Sequence, residues 1–390
     1  MKFGEKLRQL MAERQISQRR MAELVPCNDG YVSRVARGLK VPSAEMAARF
    51  DEVLGAGGEL AALRPSAPVA APALDDELEA LDLVRRVSAS DVGEETLVAL
   101  EMIVDELAAD YPRSAPGELL ARTRLHLGYV FRLLDARMTL AERRRLVVVG
   151  GWLSLLAATC DIDLGRRRAA AARLRTAAQL AEHAGHTEIL SWTLETRAWQ
   201  RLTDGDFQEA VKLARGAQEI APRDGSAFIQ ATAQEGRAWA RLGAGPETRE
   251  ALARVEQLVD PLPMPDRPEH HYRYDPAKSD AYTATTLAWI GDPAAEPYAR
   301  GVLARLERPS SGPARPRRAA SARLDLALAL LAADQPDEAA HTALEAVTSG
   351  CLVPSNYWRA AEVITAVDAR GMAVAAELGE AYRELCAAIA

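Results

Sequence analysis

The side chains best equipped for ligand chemistry cluster in one stretch, DPLPMPDRPEHHYRYDPAKSD from Asp260 to Asp280, which holds five prolines, two histidines and two tyrosines. Such a stiff aromatic insertion between helices is either a strap packed across the outer face or a lid over a binding groove, and the strap is the expectation. In the lid reading, His270, His271, Tyr272, Arg273 and Tyr274 stand beside a groove-facing Tyr282 and contact a ligand. A metal site at His270 and His271 is disfavoured, because adjacent side chains diverge and no third ligand is near.

Other reactive types are scattered. Arg166, Arg167 and Arg168 open an expected helix, where cations oppose the dipole, so they require an acidic neighbour or a bound anion. Asp161, Asp163 and Gly165 form an Asp-x-Asp-x-Gly run without the later ligands of a calcium loop, and it reads as a turn. Cys27, Cys160, Cys351 and Cys386 lie far apart, with no CxxC pair and no histidine at ligand spacing. No phosphate-binding glycine loop, GxSxG or HExxH is present, and no buried polar cluster is foreseen, so catalysis, cofactors and metals have no support.

The elements that must position these residues follow from composition and punctuation. At 390 residues, 48% of them hydrophobic, the chain exceeds what one core normally serves, so at least two domains are expected. The opening MKFGEKLRQLMAERQ alternates charge with hydrophobe, as neither a signal peptide nor a membrane span does, and a cytoplasmic protein is expected. Residues 1–64 carry 11 Lys+Arg against 8 Asp+Glu, a net of +3, which leaves −10 to the rest of a chain whose total is −7. Only the N-terminal piece suits a polyanion. RPSAPVAAPALDDE then breaks the pattern with three prolines, and residues 65–75 read as an extended linker. From about Asp75 onward the pattern is helical throughout, with Gly, Pro and Asp at intervals.

Four tryptophans, each after a small residue, mark an internal repeat: Gly151-Trp152, Ala198-Trp199, Ala238-Trp239 and Ala288-Trp289, spaced 47, 40 and 50 residues apart. RAWQRL at 197–202 and RAWARL at 237–242 are nearly identical. A single helical hairpin cannot bury its own apolar face, so neighbours must stack, and small residues at the crossings let helices approach. The tryptophans are expected in that packing rather than in a binding box. The unit at 191–222 resembles a tetratricopeptide repeat (TPR): Ala198, Ala210 and Ala217 match its small positions, GDF at 205–207 its turn and Pro222 its end. Leu194 and Arg197 depart from the family's Trp and Leu, and the other units are longer, so the resemblance is to an irregular array over roughly 116–390. Groove-lining first helices are expected at 186–203, 225–243, 277–290 and 314–333, with a last pair at 355–369 and 371–389.

Residues 3–54 parse as four short helices. Phe3, Leu7, Leu10, Met11 and Ile16 share one face, Ser17 caps QRRMAEL, and Ala22 supplies a small crossing residue. Asn28 caps DGYVSRVARG, with Val32 and Val35 inward and Gly38 as its left-handed stop. A last helix from Ser43 to Leu54 is expected to bury Met46, Phe50, Val53 and Leu54. ISQRRMAELV and GYVSRVARGLKVPS resemble the second and recognition helices of the Cro/phage-repressor (XRE-type) helix-turn-helix family. Pro26 departs from that family's turn glycine, and Gly30 inside the recognition helix costs roughly 1 kcal/mol relative to alanine. The resemblance implies that the third helix enters the major groove of double-stranded DNA. Asp29, Gly30, Ser33 and Arg34 would then face bases, Gln18 and Asn28 lie near phosphates, and Tyr31, Arg37 and Lys40 meet the backbone. Arg34 suits direct readout, since a guanidinium can bond both acceptors of guanine; Asp29 suits either a cytosine amine or the helix dipole.

The expected fold is all-α, an N-terminal helix-turn-helix bundle (1–64) followed by a TPR-like α-solenoid (76–390). The expected function is operator binding by a homodimer, controlled by a peptide or small-molecule effector in the repeat groove, with no membrane partner. The arrangement is similar to peptide-pheromone regulators, and that likeness alone supplies the word peptide. The alternative is a repeat array acting as a constitutive protein-docking platform.

Overall fold

Polar caps and apolar stripes set the N-terminal helices. Ser17 Oγ accepts the Arg20 N–H at 3.2 Å, Asn28 Oδ1 the Tyr31 N–H at 2.7 Å and Ser43 Oγ the Met46 N–H at 3.2 Å, each satisfying a donor the first helical turn leaves free. The helices are α1 (Phe3–Glu13), α2 (Gln18–Leu24), α3 (Asp29–Ala36), α4 (Ala44–Leu54) and a single turn, α5 (Glu59–Ala62). Helix α2 stops because Val25, preceding Pro26, is driven to extended backbone (φ −121°, ψ 135°). Gly38, past the end of α3, has φ 74°, as a left-handed stop requires.

The computed structural model describes residues 2–64, 86–266, 268, 270–307 and 315–387. The chain divides into two compact units, Met1–Arg86 and Val87–Ala390. The expected linker, 65–75, lies outside the described residues.

In the first unit Leu7, Met21, Val32, Phe50 and Leu54 are fully buried in one cluster. Each such side chain contributes about 1.5–3 kcal/mol by leaving water. The inward face of α4 differs slightly from expectation. Ala47 and Asp51 are buried, whereas Met46 and Val53 are only half-buried. Asp51 is buried because it works as a cap at a distance, accepting the Gly58, Leu60 and Ala61 N–H groups at 2.6, 2.7 and 2.8 Å and so anchoring α5. Gly4 permits α1 to lie directly on α3: a Cβ there would stand 2.6 Å from Val35 O and 2.8 Å from Ala36 O.

The second unit runs α6 (Glu94–Asp110), α7 (Pro116–Leu134), α8 (Leu140–Asp163), α9 (Arg167–Ala184), α10 (Thr187–Thr203), α11 (Phe207–Ile220), α12 (Ser226–Arg241), α13 (Gly245–Val259), α14 (Pro276–Trp289), α15 (Ala295–Glu307), α16 (Pro316–Ala332), α17 (Pro336–Thr348), α18 (Tyr357–Asp368) and α19 (Ala375–Ala387). From α8 onward successive helices pair as hairpins, and the first helices of the pairs stack on one another. These are α8, α10, α12, α14, α16 and α18, and they form the inner wall. The bounds of α10, α12, α14, α16 and α18 fall within a few residues of the ranges expected from sequence, whereas no range was expected for α8. Ala198, Ala210 and Ala217 have no exposed surface, as close helix crossings require. Gly236 serves the same end, since a Cβ on it would sit 3.0 Å from that of Ala251.

Helix α8 is long and apolar enough by composition to cross a membrane, with a mean hydropathy of 1.6, but 83% of that stretch is buried inside the unit. It is the central core helix, with Leu146, Leu153, Leu155 and Leu156 in the largest apolar cluster. The Asp-x-Asp-x-Gly run is corrected here: Asp161 and Asp163 occupy the last turn of α8, both buried, and the chain turns only at Leu164 and Gly165. Among the described residues the molecule is all-α.

Candidate functional site

Two places concentrate polar groups that fold stability alone does not use. The first is α3 together with the turn that follows it. Asn28, Asp29, Arg34, Arg37 and Lys40 are exposed, as is Gln18 at the start of α2, while Gly30, Tyr31 and Ser33 are half-buried. Asn28 spends its side-chain oxygen on the cap, and Asp29 Oδ1 accepts the Gly30 N–H at 2.8 Å, so its carboxylate already meets the positive end of the helix. Arg34 has no ion-pair partner among the described residues. A Cβ on Gly30 would meet its Nη1 at 3.6 Å, so the guanidinium lies back along the Gly30 face. Lys40 Nζ stands 4.7 Å from the Tyr31 ring centroid, and Arg37 Nε donates to Ser33 O at 3.4 Å. The result is a row of cations beside a capped helix end, on a base of Val32, Val35 and Ala36 that is buried.

The second is a cavity of about 1070 Å³, open solvent at its mouth included, ringed by the inner helices α8, α10, α12, α14, α16 and α18. Its wall closes through Asp163, whose carboxylate accepts from Tyr111 Oη at 2.8 Å, Arg317 Nη2 at 2.6 Å and Ser355 Oγ at 2.6 Å. Gln230 Nε2 donates to Glu195 Oε1 at 2.9 Å and to Tyr282 Oη at 2.7 Å, and Arg359 donates to Asp325 at 2.9 Å. Arg237 is held between Tyr282 and Trp289, 4.9 and 5.2 Å from their ring centroids. Burial pushes the Glu195 carboxyl up to about 7, against the pull of the Gln230 hydrogen bond and of the Lys278 and Arg237 charges. Burial likewise lowers Arg237 to about 10, and the Arg359 charge adds to it.

Sequence reasoning foresaw no such cluster, and that expectation is overturned. Asp163, Glu195, Gln230, Arg237, Asp325 and Arg359 come from five different helices, and each alone reads as an ordinary helical polar residue. Their one legible signal is polarity inside otherwise apolar first helices.

The proline-rich segment is mostly strap. Tyr272 and Tyr274 are buried in apolar clusters, and His270 is buried, its Nε2 3.2 Å from Asp105 O. Arg273 is exposed and paired with Asp105. These four do not line the cavity, whereas His271 and Tyr282 do. Burial holds the His271 imidazole well below its usual range, followed by the Lys278 charge, so it is neutral. Of the repeat tryptophans, Trp152 packs on Tyr272, and Trp239 and Trp289 join one apolar cluster; Trp199 lines the cavity beside Trp192. The arginine run finds acids: Arg166 lies 4.0 Å from Asp161, and Arg167 pairs with Asp204 at 2.7 Å. Among the described residues no group of His, Cys, Asp and Glu could hold a metal ion.

A solved structure, Bacillus thuringiensis PlcR in complex with the peptide PapR7 and DNA, is similar at 15% identity, covering 66% of this chain and 94% of that chain, with a TM-score of 0.27. A superposition that loose carries no weight here. No curated protein matches the chain. A family model described as a helix-turn-helix domain matches residues 2–63, the span of α1 to α5. Residues 2–63 form a helix-turn-helix domain, and an all-α helical repeat unit follows in the chain.

Proposed function

We propose that the chain is a sequence-specific DNA-binding transcriptional regulator whose repeat unit binds an effector and thereby controls operator occupancy. The observation that carries this reading is α3: a capped helix with Arg34 in no ion pair among the described residues, flanked by Arg37 and Lys40, in a segment that matches a helix-turn-helix family model. In this reading Arg34 reads a guanine edge, with Ser33, Gly30 and Asp29 facing the same bases. Gln18, Asn28, Tyr31, Arg37 and Lys40 hold the phosphate backbone. The protein acts in the cytoplasm as a homodimer, placing two copies of α3 on half-sites one helical turn apart.

Effector control is supported by the cavity, whose buried polar groups and aromatic walls have the character of a small-molecule site. Purified full-length protein, incubated with fragmented genomic DNA and non-specific competitor, is expected to retain a small set of fragments sharing one two-part sequence. Retention of every fragment equally, or of none, would contradict the reading.

A further inference from the structure

The cavity wall holds more hydrogen-bond donors than it matches. Arg237, 3% exposed, donates through Nη1 to Gln234 Oε1 at 3.0 Å, yet its Nε and Nη2 are buried without a partner. Arg317 and Arg359 each leave Nε in the same state. Against these four donor atoms, the lining offers one unmatched buried side-chain acceptor among the described residues, Gln230 Oε1. Buried guanidinium donors rarely go unpaired, because each forfeits its hydration without compensation.

The arrangement of these donors specifies the missing group. Nε and Nη2 lie on one edge of a guanidinium, spaced to hold both oxygens of a carboxylate, and the Arg237 faces are already covered by Tyr282 and Trp289. The Asp163 and Asp325 carboxylates are engaged by Arg317 and Arg359. Glu195, raised to about 7 first by burial, is partly neutral at neutral pH and opposes an entering anion less than a free carboxylate would. Trp192, Trp199 and Tyr282 supply aromatic walls against which a flat apolar body packs.

We propose that the cavity binds a small aromatic carboxylate, its two oxygens on the Nε and Nη2 edge of Arg237, which turns out of its buried position to meet them, and its ring against Trp192, Trp199 and Tyr282. This assignment rests on the reading of the repeat unit as effector-binding and names the effector's chemical class.

The test titrates benzoate, salicylate and phenylacetate, each beside its neutral amide, into the full-length protein and follows thermal unfolding. At least one acid is expected to raise the melting temperature saturably while its amide does not. Arg237→Lys keeps the charge but removes the fork, and is expected to weaken that acid by about tenfold or more. Trp199→Ala, at a half-buried site, is expected to weaken it with the fold intact by circular dichroism, which keeps the test valid if the Arg237 variant fails to fold. Equal responses to acids and amides, no response to any acid, or unchanged affinity in Trp199→Ala would overturn the assignment. Genomic-fragment binding is measured on the same preparation. Intact DNA binding without acid preference removes this inference alone, whereas absent DNA binding removes the wider reading.

Discussion

Arg317, at the start of α16, reaches Asp163 at the end of α8 across 154 residues of sequence, Nη2 to Oδ2 at 2.6 Å. The same guanidinium donates through Nη1 to the backbone oxygens of Tyr111 at 2.9 Å and Ser114 at 2.7 Å, so three segments of the repeat unit meet on one side chain. Ser355, between α17 and α18, adds a hydrogen bond to the other Asp163 oxygen at 2.6 Å. The array is thereby closed upon itself around the cavity. An open row of hairpins would hold no enclosed site.

That closure makes Arg317→Leu costly. The Asp163 side chain is 2% exposed and the Arg317 side chain 11%, so removing the cation strands a buried carboxylate with only two neutral donors. Loss of one partner of a buried pair costs about 3–5 kcal/mol. Urea unfolding of the full chain is expected to show that loss in the repeat transition. A change below about 1 kcal/mol would mean that the pair is merely a surface-like contact.

Gly4 makes a comparable prediction for the first unit. A methyl group at this position would collide with two backbone carbonyls of α3, neither of which can swing aside as a side chain could. Gly4→Ala is expected to destabilise the helix-turn-helix unit by about 1–3 kcal/mol. Thermal unfolding should report the loss, and DNA affinity should fall with the population of folded domain. Unaltered unfolding would show that α1 and α3 are further apart than described.

Glu195 gives a pH signature. Its carboxyl titrates near 7 in the folded protein because it is buried, against about 4.3 in an unfolded chain. Its contribution to stability is therefore complete below about 4.3 and is lost as pH rises through about 7, where the native state must release a proton the unfolded state has already lost. Glu195→Gln is expected to flatten the fall in melting temperature over that interval. An identical slope in the variant would place the titration elsewhere.

Most of the helical architecture was legible in the sequence because its signals are local. Ser17, Asn28 and Ser43 announce helix starts, Gly38 a helix stop, and alternating small and large residues such as Ala198 and Trp199 announce stacked hairpins. The α4 face was read one step off because Asp51, a charged residue, is buried for its backbone acceptor role rather than for its hydrophobicity. The cavity was illegible for a different reason. Asp163, Glu195, Arg237 and Arg317 become neighbours only when the array curls, and no periodicity within one helix encodes that curvature. His271, on the unusual segment, and Tyr282, beside it on α14, were legible as aromatics, but the same signal also drew in Tyr272 and Tyr274, which the strap uses as apolar anchors, and His270, which is buried against Asp105 O.

In the proposed function α3 meets duplex DNA with Arg34 leading. Fluorescence anisotropy of the full-length protein on its best retained fragment, repeated across salt concentrations, tests it most directly. Arg34→Ala is expected to cost about 1–3 kcal/mol and to relax discrimination at one base pair, whereas Lys40→Ala lowers affinity uniformly and reduces the salt slope by about 1. Binding by the doubly substituted protein that matches the unsubstituted chain in strength, selectivity and salt response would contradict the account.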